Sequence, residues 1–304
     1  MSQPEKFHSG FVALIGRPNV GKSTLLNAIV GSKVAITSGM PQTTRHRILG
    51  VYNHPGCQIV FVDTPGFHSA QTRLGEWMLE SAMTEGSEAD IVIMIVDGTQ
   101  EPNDDDRRVA EFLRDQVKGT KILLINKADK LVRKEALLPR IEAYKKLGDF
   151  TDIFPICAVD GDNVEEFLGF LRSLLPEGLP YFPEGQISDQ DEERMASEII
   201  REKVLLNTYR EVPHAVAVKI DECREAADKK DLQYIRATIY VERDGQKTII
   251  LGRKGEKLKE IGAAARADLE KLFGRRVYLD LWIKVKEDWR DRPDWLRAFG
   301  YDYD

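Results

Sequence analysis

The stretch Gly16-Arg17-Pro18-Asn19-Val20-Gly21-Lys22-Ser23 sits between the apolar run Phe11-Val12-Ala13-Leu14-Ile15 and a helix-forming segment that starts at Thr24. The pattern G-x-x-x-x-G-K-[ST] between a strand and a helix is a phosphate loop. It restricts the fold strongly, because the loop must join the end of a buried strand to the start of a helix. Gly16 and Gly21 let the backbone turn its amides inward, and with the helix N-terminus these amides hold phosphate oxygens. Lys22 adds a point charge between the outer phosphates, and the Ser23 hydroxyl is placed for Mg²⁺. Asn19, Val20 and Thr24 belong to the same nucleotide-binding segment.

Short, mostly β-branched runs recur at 11–15, 58–62, 91–96, 121–125 and 153–156, with longer amphipathic stretches mostly between them. This alternation predicts a mostly parallel sheet covered by helices on both faces. Ligands of such sheets sit at the carboxyl ends of the strands. Three further motifs lie at or just beyond those ends: Asp63-Thr64-Pro65-Gly66, Asn126-Lys127-Ala128-Asp129 and Ile156-Cys157-Ala158. Asp63 closes an apolar strand, so its carboxylate reaches the Mg²⁺ shell, while the Gly66 amide can face the terminal phosphate with no side chain in the way. Loss of that phosphate would release the segment that follows. Asn126 and Lys127 belong to the nucleotide-binding set, and the Asp129 carboxylate matches the two donors of guanine. Adenine would leave it desolvated and unpaired, a difference worth a factor of about 10⁴. The predicted ligand is therefore GTP, with GDP as product.

A chain of 304 residues is too long for one ordinary core and fits two domains. No apolar run reaches the roughly 18 residues of a membrane helix. The start, Met1 to Lys6, lacks a secretory pattern, so a cytoplasmic protein without a transmembrane segment is expected. Cys57, Cys157 and Cys223 are too scattered for a disulfide framework or a C-x-x-C zinc site and read as reduced thiols. The alternating pattern ends near residue 178, and Leu179-Pro180-Tyr181-Phe182-Pro183-Glu184-Gly185 opens a proline-punctuated linker. The expected organisation is a nucleotide domain at 1–178, a linker at 179–192, a second domain at 193–288 and a tail at 289–304.

The second domain reads as α+β. Helical patterns cover 193–206 and 256–273, strand patterns cover 215–220, 234–241 and 277–285, and Asp244-Gly245 offers turn chemistry. A net charge of −6 argues against a nucleic-acid partner for the chain as a whole, yet 252–276 holds eight basic residues against four acidic ones. Within it, Ile250-Leu251-Gly252-Arg253-Lys254-Gly255-Glu256-Lys257-Leu258 matches the apolar-G-x-x-G-x-x-apolar core of a KH domain. Gly252 and Gly255 permit the turn against the nucleic-acid backbone, and Arg253, Lys254 and Lys257 meet phosphate. The order helix-strand-strand-helix-helix-strand resembles the type II KH fold.

Taken together, these motifs resemble the Era family of translation-factor-like GTPases, and the resemblance covers nearly all of the chain. It rests on the Asn-Val-Gly-Lys-Ser form of the phosphate loop, Gln42-Thr43-Thr44-Arg45-His46-Arg47, 63–66, 126–129, Phe182-Pro183-Glu184, 196–203 and 251–255. The resemblance implies a small-ribosomal-subunit assembly GTPase that binds small-subunit ribosomal RNA near its 3′ end. It makes Thr44 the metal-binding switch residue, with Thr43 as the alternative, and groups Lys22, Thr44 and Gly66 as the catalytic set. Two departures stand out. Cys157 replaces a serine common in the family, where the expected base contact is the Ala158 amide. Phe67 stands where Ras-type enzymes place a water-orienting glutamine, so slow intrinsic hydrolysis is expected. Relatives with this combination use K⁺, for which Asn19 would be a ligand. Two competing readings are a protein-recognising switch and a peripheral contact of the basic segment 254–276 with the cytoplasmic face of the inner membrane.

Overall fold

The computed structural model describes residues 6–131, 134–225 and 231–301. The chain divides into two compact units, one made of Met1–Thr37, Thr44–Ala70 and Met78–Asp189, the other of Ser38–Thr43, Gln71–Trp77 and Gln190–Asp304.

In the first unit the strands β1 (His8–Ile15), β2 (Ile48–His54), β3 (Cys57–Asp63), β4 (Ile91–Asp97), β5 (Thr120–Asn126) and β6 (Asp152–Pro155) form one sheet in the order β2-β3-β1-β4-β5-β6. All neighbours are parallel except β2 and β3, which pair as a hairpin. The helices are α1 (Lys22–Val30), α2 (Arg73–Glu88), α3 (Asp104–Gln116), α4 (Leu137–Lys145) and α5 (Val164–Leu174), the first turn of α2 grouping with the other unit. Strands β3 and β4 are buried along their whole length, as strands covered on both faces must be. One core joins Leu14, Ile59 and Phe61 to Leu25 and Phe167 on one side of the sheet, and the other joins Ile15, Met94 and Leu123 to Phe112 and Tyr144. The fold is the α/β phosphate-loop GTPase architecture.

The proline-punctuated segment is bound along the first unit. Gln58 Oε1 accepts from the Tyr181 and Phe182 amides at 2.7 and 2.9 Å, its Nε2 donates to the Phe182 carbonyl at 2.9 Å, and the Val51 amide donates to Ile187 at 2.9 Å. A buried glutamine that satisfies three backbone groups holds the strap where composition alone reads as a free linker.

The second unit contains α6 (Glu192–Leu206), β7 (Ala217–Glu225), β8 (Leu232–Val241), α7 (Asp244–Leu251), α8 (Glu256–Phe273), β9 (Arg276–Val285) and α9 (Pro293–Ala298). Its sheet runs β7-β8-β9, antiparallel then parallel. Ile199, Ile200, Ile250, Ile261, Ala265 and Leu269 from the helices meet Ile235, Ala237, Ile239 and Val277 in one core. This is the type II KH arrangement. Asp244-Gly245 begins a helix instead of a turn, because Gln246 Oε1 accepts from the Glu242 and Arg243 amides at 2.9 and 3.0 Å and so satisfies the helix start. The tail packs: Trp289 is buried, donates through Nε1 to the Ala215 carbonyl at 2.8 Å, and meets Phe299 edge-on. Residues 302–304 of the expected tail lie outside the described residues. Arg201, also buried, pairs with Glu198 at 2.6 Å and donates to the Thr43 carbonyl of the segment Ser38–Thr43.

Candidate functional site

The four nucleotide motifs come together at the carboxyl edge of the first sheet. The phosphate loop connects β1 to α1, and Gly21 (φ 103°) adopts a left-handed conformation at the helix start. Lys22 is buried, with Nζ 3.0 Å from the Gly16 carbonyl and 3.3 Å from that of Arg17. Burial lowers its pKa from 10.5 to about 8, against the upward pull of Asp63, with Arg17 adding to the decrease. An ammonium desolvated in this way gains more from a polyphosphate than one in water.

Beside it, Ser23 Oγ donates to Asp63 Oδ2 at 2.6 Å and lies 2.9 Å from Thr44 Oγ1, itself 3.4 Å from the same carboxylate oxygen. Two hydroxyls and a carboxylate make a hard oxygen set of the kind Mg²⁺ takes. Asp63 Oδ1 is buried and has no hydrogen-bond partner among the described residues, which is what a cation would satisfy. Burial pushes the Asp63 pKa up, opposed by Lys22, Ser23 and Thr44. Residues Ser23, Thr44 and Asp63 thus fit the metal expected there. Thr43 is turned elsewhere: its hydroxyl donates to the Met40 carbonyl at 2.6 Å and contacts Ser38.

Gly66 crosses the phosphate loop so closely that a Cβ would lie 2.8 Å from Pro18 Cγ and 2.9 Å from Pro18 Cα. The next amide, Phe67, donates to the Gly16 carbonyl at 3.0 Å, and the Phe67 ring is buried against Phe112 at 5.4 Å. Its side chain belongs to the core and faces away from the chemistry.

At the other end, the buried Asn126 donates through Nδ2 to the Val20 carbonyl at 2.8 Å and accepts at Oδ1 from the Ala158 amide at 3.0 Å. The Ala158 amide, pointed at guanine by resemblance, already has an acceptor here, so a base oxygen would share it. Lys127 (φ 63°) spans to the Asn19 carbonyl and Asp97, each at 2.7 Å. Burial alone would raise Asp97, but the Lys127 and Thr99 hydrogen bonds outweigh it and hold the carboxyl below its ordinary range. Asp129 is exposed, and Cys157 is buried with Sγ 3.3 Å from Asp160, its pKa raised first by burial. Asn19 is exposed on the loop (φ 64°), and Thr24 follows in the first turn of α1. Asp97 is a site residue that the motifs do not reveal. Its signal is a carboxylate ending the apolar run Ile91–Asp97, in register with Asn126.

In the second unit, Gly252 (φ 71°, ψ −176°), Lys254 (φ 51°) and Gly255 (φ 80°) form the turn between α7 and α8, with Arg253 and Lys254 exposed. A Cβ on Gly252 would lie 2.6 Å from Lys257 Cβ, whereas Gly255 is open. The apolar Ile250 and Ile261 anchor the helices on either side.

The fold and this site define a Mg²⁺-dependent phosphate-loop GTPase joined to a KH domain. Family models agree, with a 50S ribosome-binding GTPase matching residues 11–127 and a KH domain matching 211–290. A crystal structure of Era in complex with MgGDPNP and nucleotides 1506–1542 of 16S ribosomal RNA is 42% identical, with a TM-score of 0.93 over 98% of this chain and 100% of that one. A variant of Aquifex aeolicus Era bound to GDP·AlF4⁻ is 42% identical, with a TM-score of 0.92 and the same coverage. The chain belongs to the Era family.

Proposed function

We propose that this GTPase acts as a switch whose nucleotide state governs binding of small-subunit ribosomal RNA near its 3′ end, and that it thereby assists assembly of the small ribosomal subunit. The supporting observation is the similarity over 98% of the chain to an Era held in complex with both MgGDPNP and a 16S segment. The 50S-binding description concerns residues 11–127 only, so it does not bear on the RNA partner of the KH domain.

In this reading the Gly16–Ser23 amides and Lys22 hold the phosphates, and Ser23, Thr44 and Asp63 hold Mg²⁺, which neutralises charge developing on the phosphoryl oxygens. The Gly66 amide senses the terminal phosphate. Asn126, Lys127, Asp129, Cys157 and Ala158 enclose the guanine. With Phe67 in the core, the side chain at this position cannot orient the attacking water, so slow intrinsic hydrolysis is expected. K⁺ held with the help of Asn19 would raise it; equal rates in KCl and NaCl at matched ionic strength would refute that role. The RNA contacts are assigned to Gly252, Arg253, Lys254, Gly255 and Lys257.

We place the chain in the cytoplasm; among the described residues no helix is long and apolar enough to cross a membrane. The apolar face of α8 is packed in the core through Ile261, Ala265 and Leu269, which leaves a mixed face of charged residues, alanines and Leu272 for any peripheral contact with the inner membrane. Liposome flotation tests that contact. The switch itself is tested by RNA affinity in GTP-loaded and GDP-loaded protein: a clear difference is expected, and identical affinities would refute coupling.

A further inference from the structure

We propose that the sheet face turned away from the helices of the second unit is a stacking platform for single-stranded RNA, reached from the Gly252–Gly255 loop by passing over β9. The proposal rests on the RNA-binding reading of that loop for its partner, and on the following geometry for its place.

Side chains alternate across a sheet. Because Ile235, Ala237, Ile239 and Val277 fill the core beneath the helices, their neighbours face outward. Strand register sets these in three rows: Arg224–Tyr234–Tyr278, Glu222–Arg236–Asp280 and Lys219–Thr238–Trp282. The middle row is a closed ionic network, with Arg236 3.2 Å from Asp280 and 3.6 Å from Glu222. That network also fixes the rings on either side. Arg236 donates to the Tyr234 hydroxyl at 2.6 Å, and Trp282 Nε1 donates to Asp280 at 3.1 Å. Tyr234 and Tyr278 lie side by side, 5.6 Å apart and 9° from parallel, with the Arg224 guanidinium 4.9 Å over the Tyr234 ring. Tyr278 and Trp282 are each 56% exposed. Four residues apart on one strand, they stand about 13 Å from each other. Further along the same face Tyr240 is covered by Trp295 and Phe299 of the tail, so the exposed rings are a patch left open beside a covered one.

Large aromatic rings held in place by a hydrogen bond, as Trp282 is, or by a neighbouring ring, as Tyr278 is, yet left in water suit unstacked bases, which any aromatic face can receive. The charge favours a polyanion over a protein. The acids of the patch are engaged: Glu222 with Arg224 at 2.6 Å, Asp280 with Arg236, and Asp221 with the Thr238 hydroxyl at 2.6 Å. Lys219, Arg276 and Lys284 flank the rings and make no ion pair among the described residues. Continuity comes from β9, the edge strand of the sheet, which packs against both α7 and α8, the helices flanking the loop.

The test uses the full chain and a single-stranded RNA of about twelve nucleotides from the 3′ end of 16S ribosomal RNA. The double variant Tyr278→Ala with Trp282→Ala should bind it at least about tenfold more weakly, since one stacked base contributes about five- to hundredfold. Tyr278→Phe with Trp282→Phe should retain most of the affinity, which separates stacking from shape. GTP affinity and the thermal midpoint report on folding, and the single alanine variants, each about fivefold weaker or more, replace the double if it melts early. Wild-type RNA affinity in the alanine variants overturns the proposal and leaves the face to a protein partner. Arg253→Asp with Lys254→Asp tests the loop separately: normal binding there with weak binding in the alanine variants would refute the loop reading and keep the platform.

Discussion

Asn126 ties the two ends of the nucleotide pocket together, its Nδ2 2.8 Å from the Val20 carbonyl and its Oδ1 3.0 Å from the Ala158 amide. Val20 lies in the phosphate loop and Ala158 beside the base, so one buried amide sets the distance between them. Asn126→Ala would strand two backbone groups at about 1–3 kcal/mol each. We expect a loss of at least tenfold in GTP affinity together with a lower melting temperature, read by calorimetry and thermal denaturation.

Lys22 should make nucleotide binding depend on pH. With a pKa near 8 in the free protein, it is partly neutral at pH 8.5. Phosphate oxygens favour the ammonium, so binding there takes up a proton that binding at pH 7 does not. Calorimetry in buffers of different ionisation enthalpy measures this, and Lys22→Met should remove the increment. Because the unfolded chain holds this proton up to about 10.5, the Lys22 contribution to stability of the free protein rises with pH between about 8 and 10.5.

Phe67→Gln, which restores the residue type of Ras-like enzymes, should not speed hydrolysis. The ring is buried against Phe112, so a glutamine would place an amide in a hydrocarbon core at a cost of about 3 kcal/mol. Single-turnover rates at or below wild type and a lower melting temperature are the expected outcome.

The two glycines of the basic loop should differ. Gly252→Ala meets both an unfavourable backbone conformation and Lys257, whereas Gly255→Ala meets only the left-handed backbone, about 1 kcal/mol. Thermal melting should show the larger decrease for Gly252→Ala.

Most of the nucleotide site is legible in the chain because each motif is a local backbone device at a strand end. Lys22, Ser23, Asp63 and Asn126 lie within about one residue of the end of an element, where periodicity and motif agree. What escaped was set by contacts distant in sequence. Asp97 acquires its role only when β4 and β5 place it beside Asn126. The strap at 179–189 looks free until Gln58, more than 120 residues earlier, satisfies its amides. Asp244-Gly245 reads as a turn because its helix start depends on the Gln246 side chain. The aromatic rows outside the second sheet depend on the register of β8 against β9, which alternation alone does not fix.

Gly21 has a further effect. A methyl group there would come within 2.2 Å of Asn126 Nδ2, so the amide that frames the base occupies the room an ordinary residue would need beside the phosphates. The ligand is therefore gripped by a single shared wall, and its departure should be one concerted event: a fluorophore on the ribose and one on the terminal phosphate would report the same off-rate.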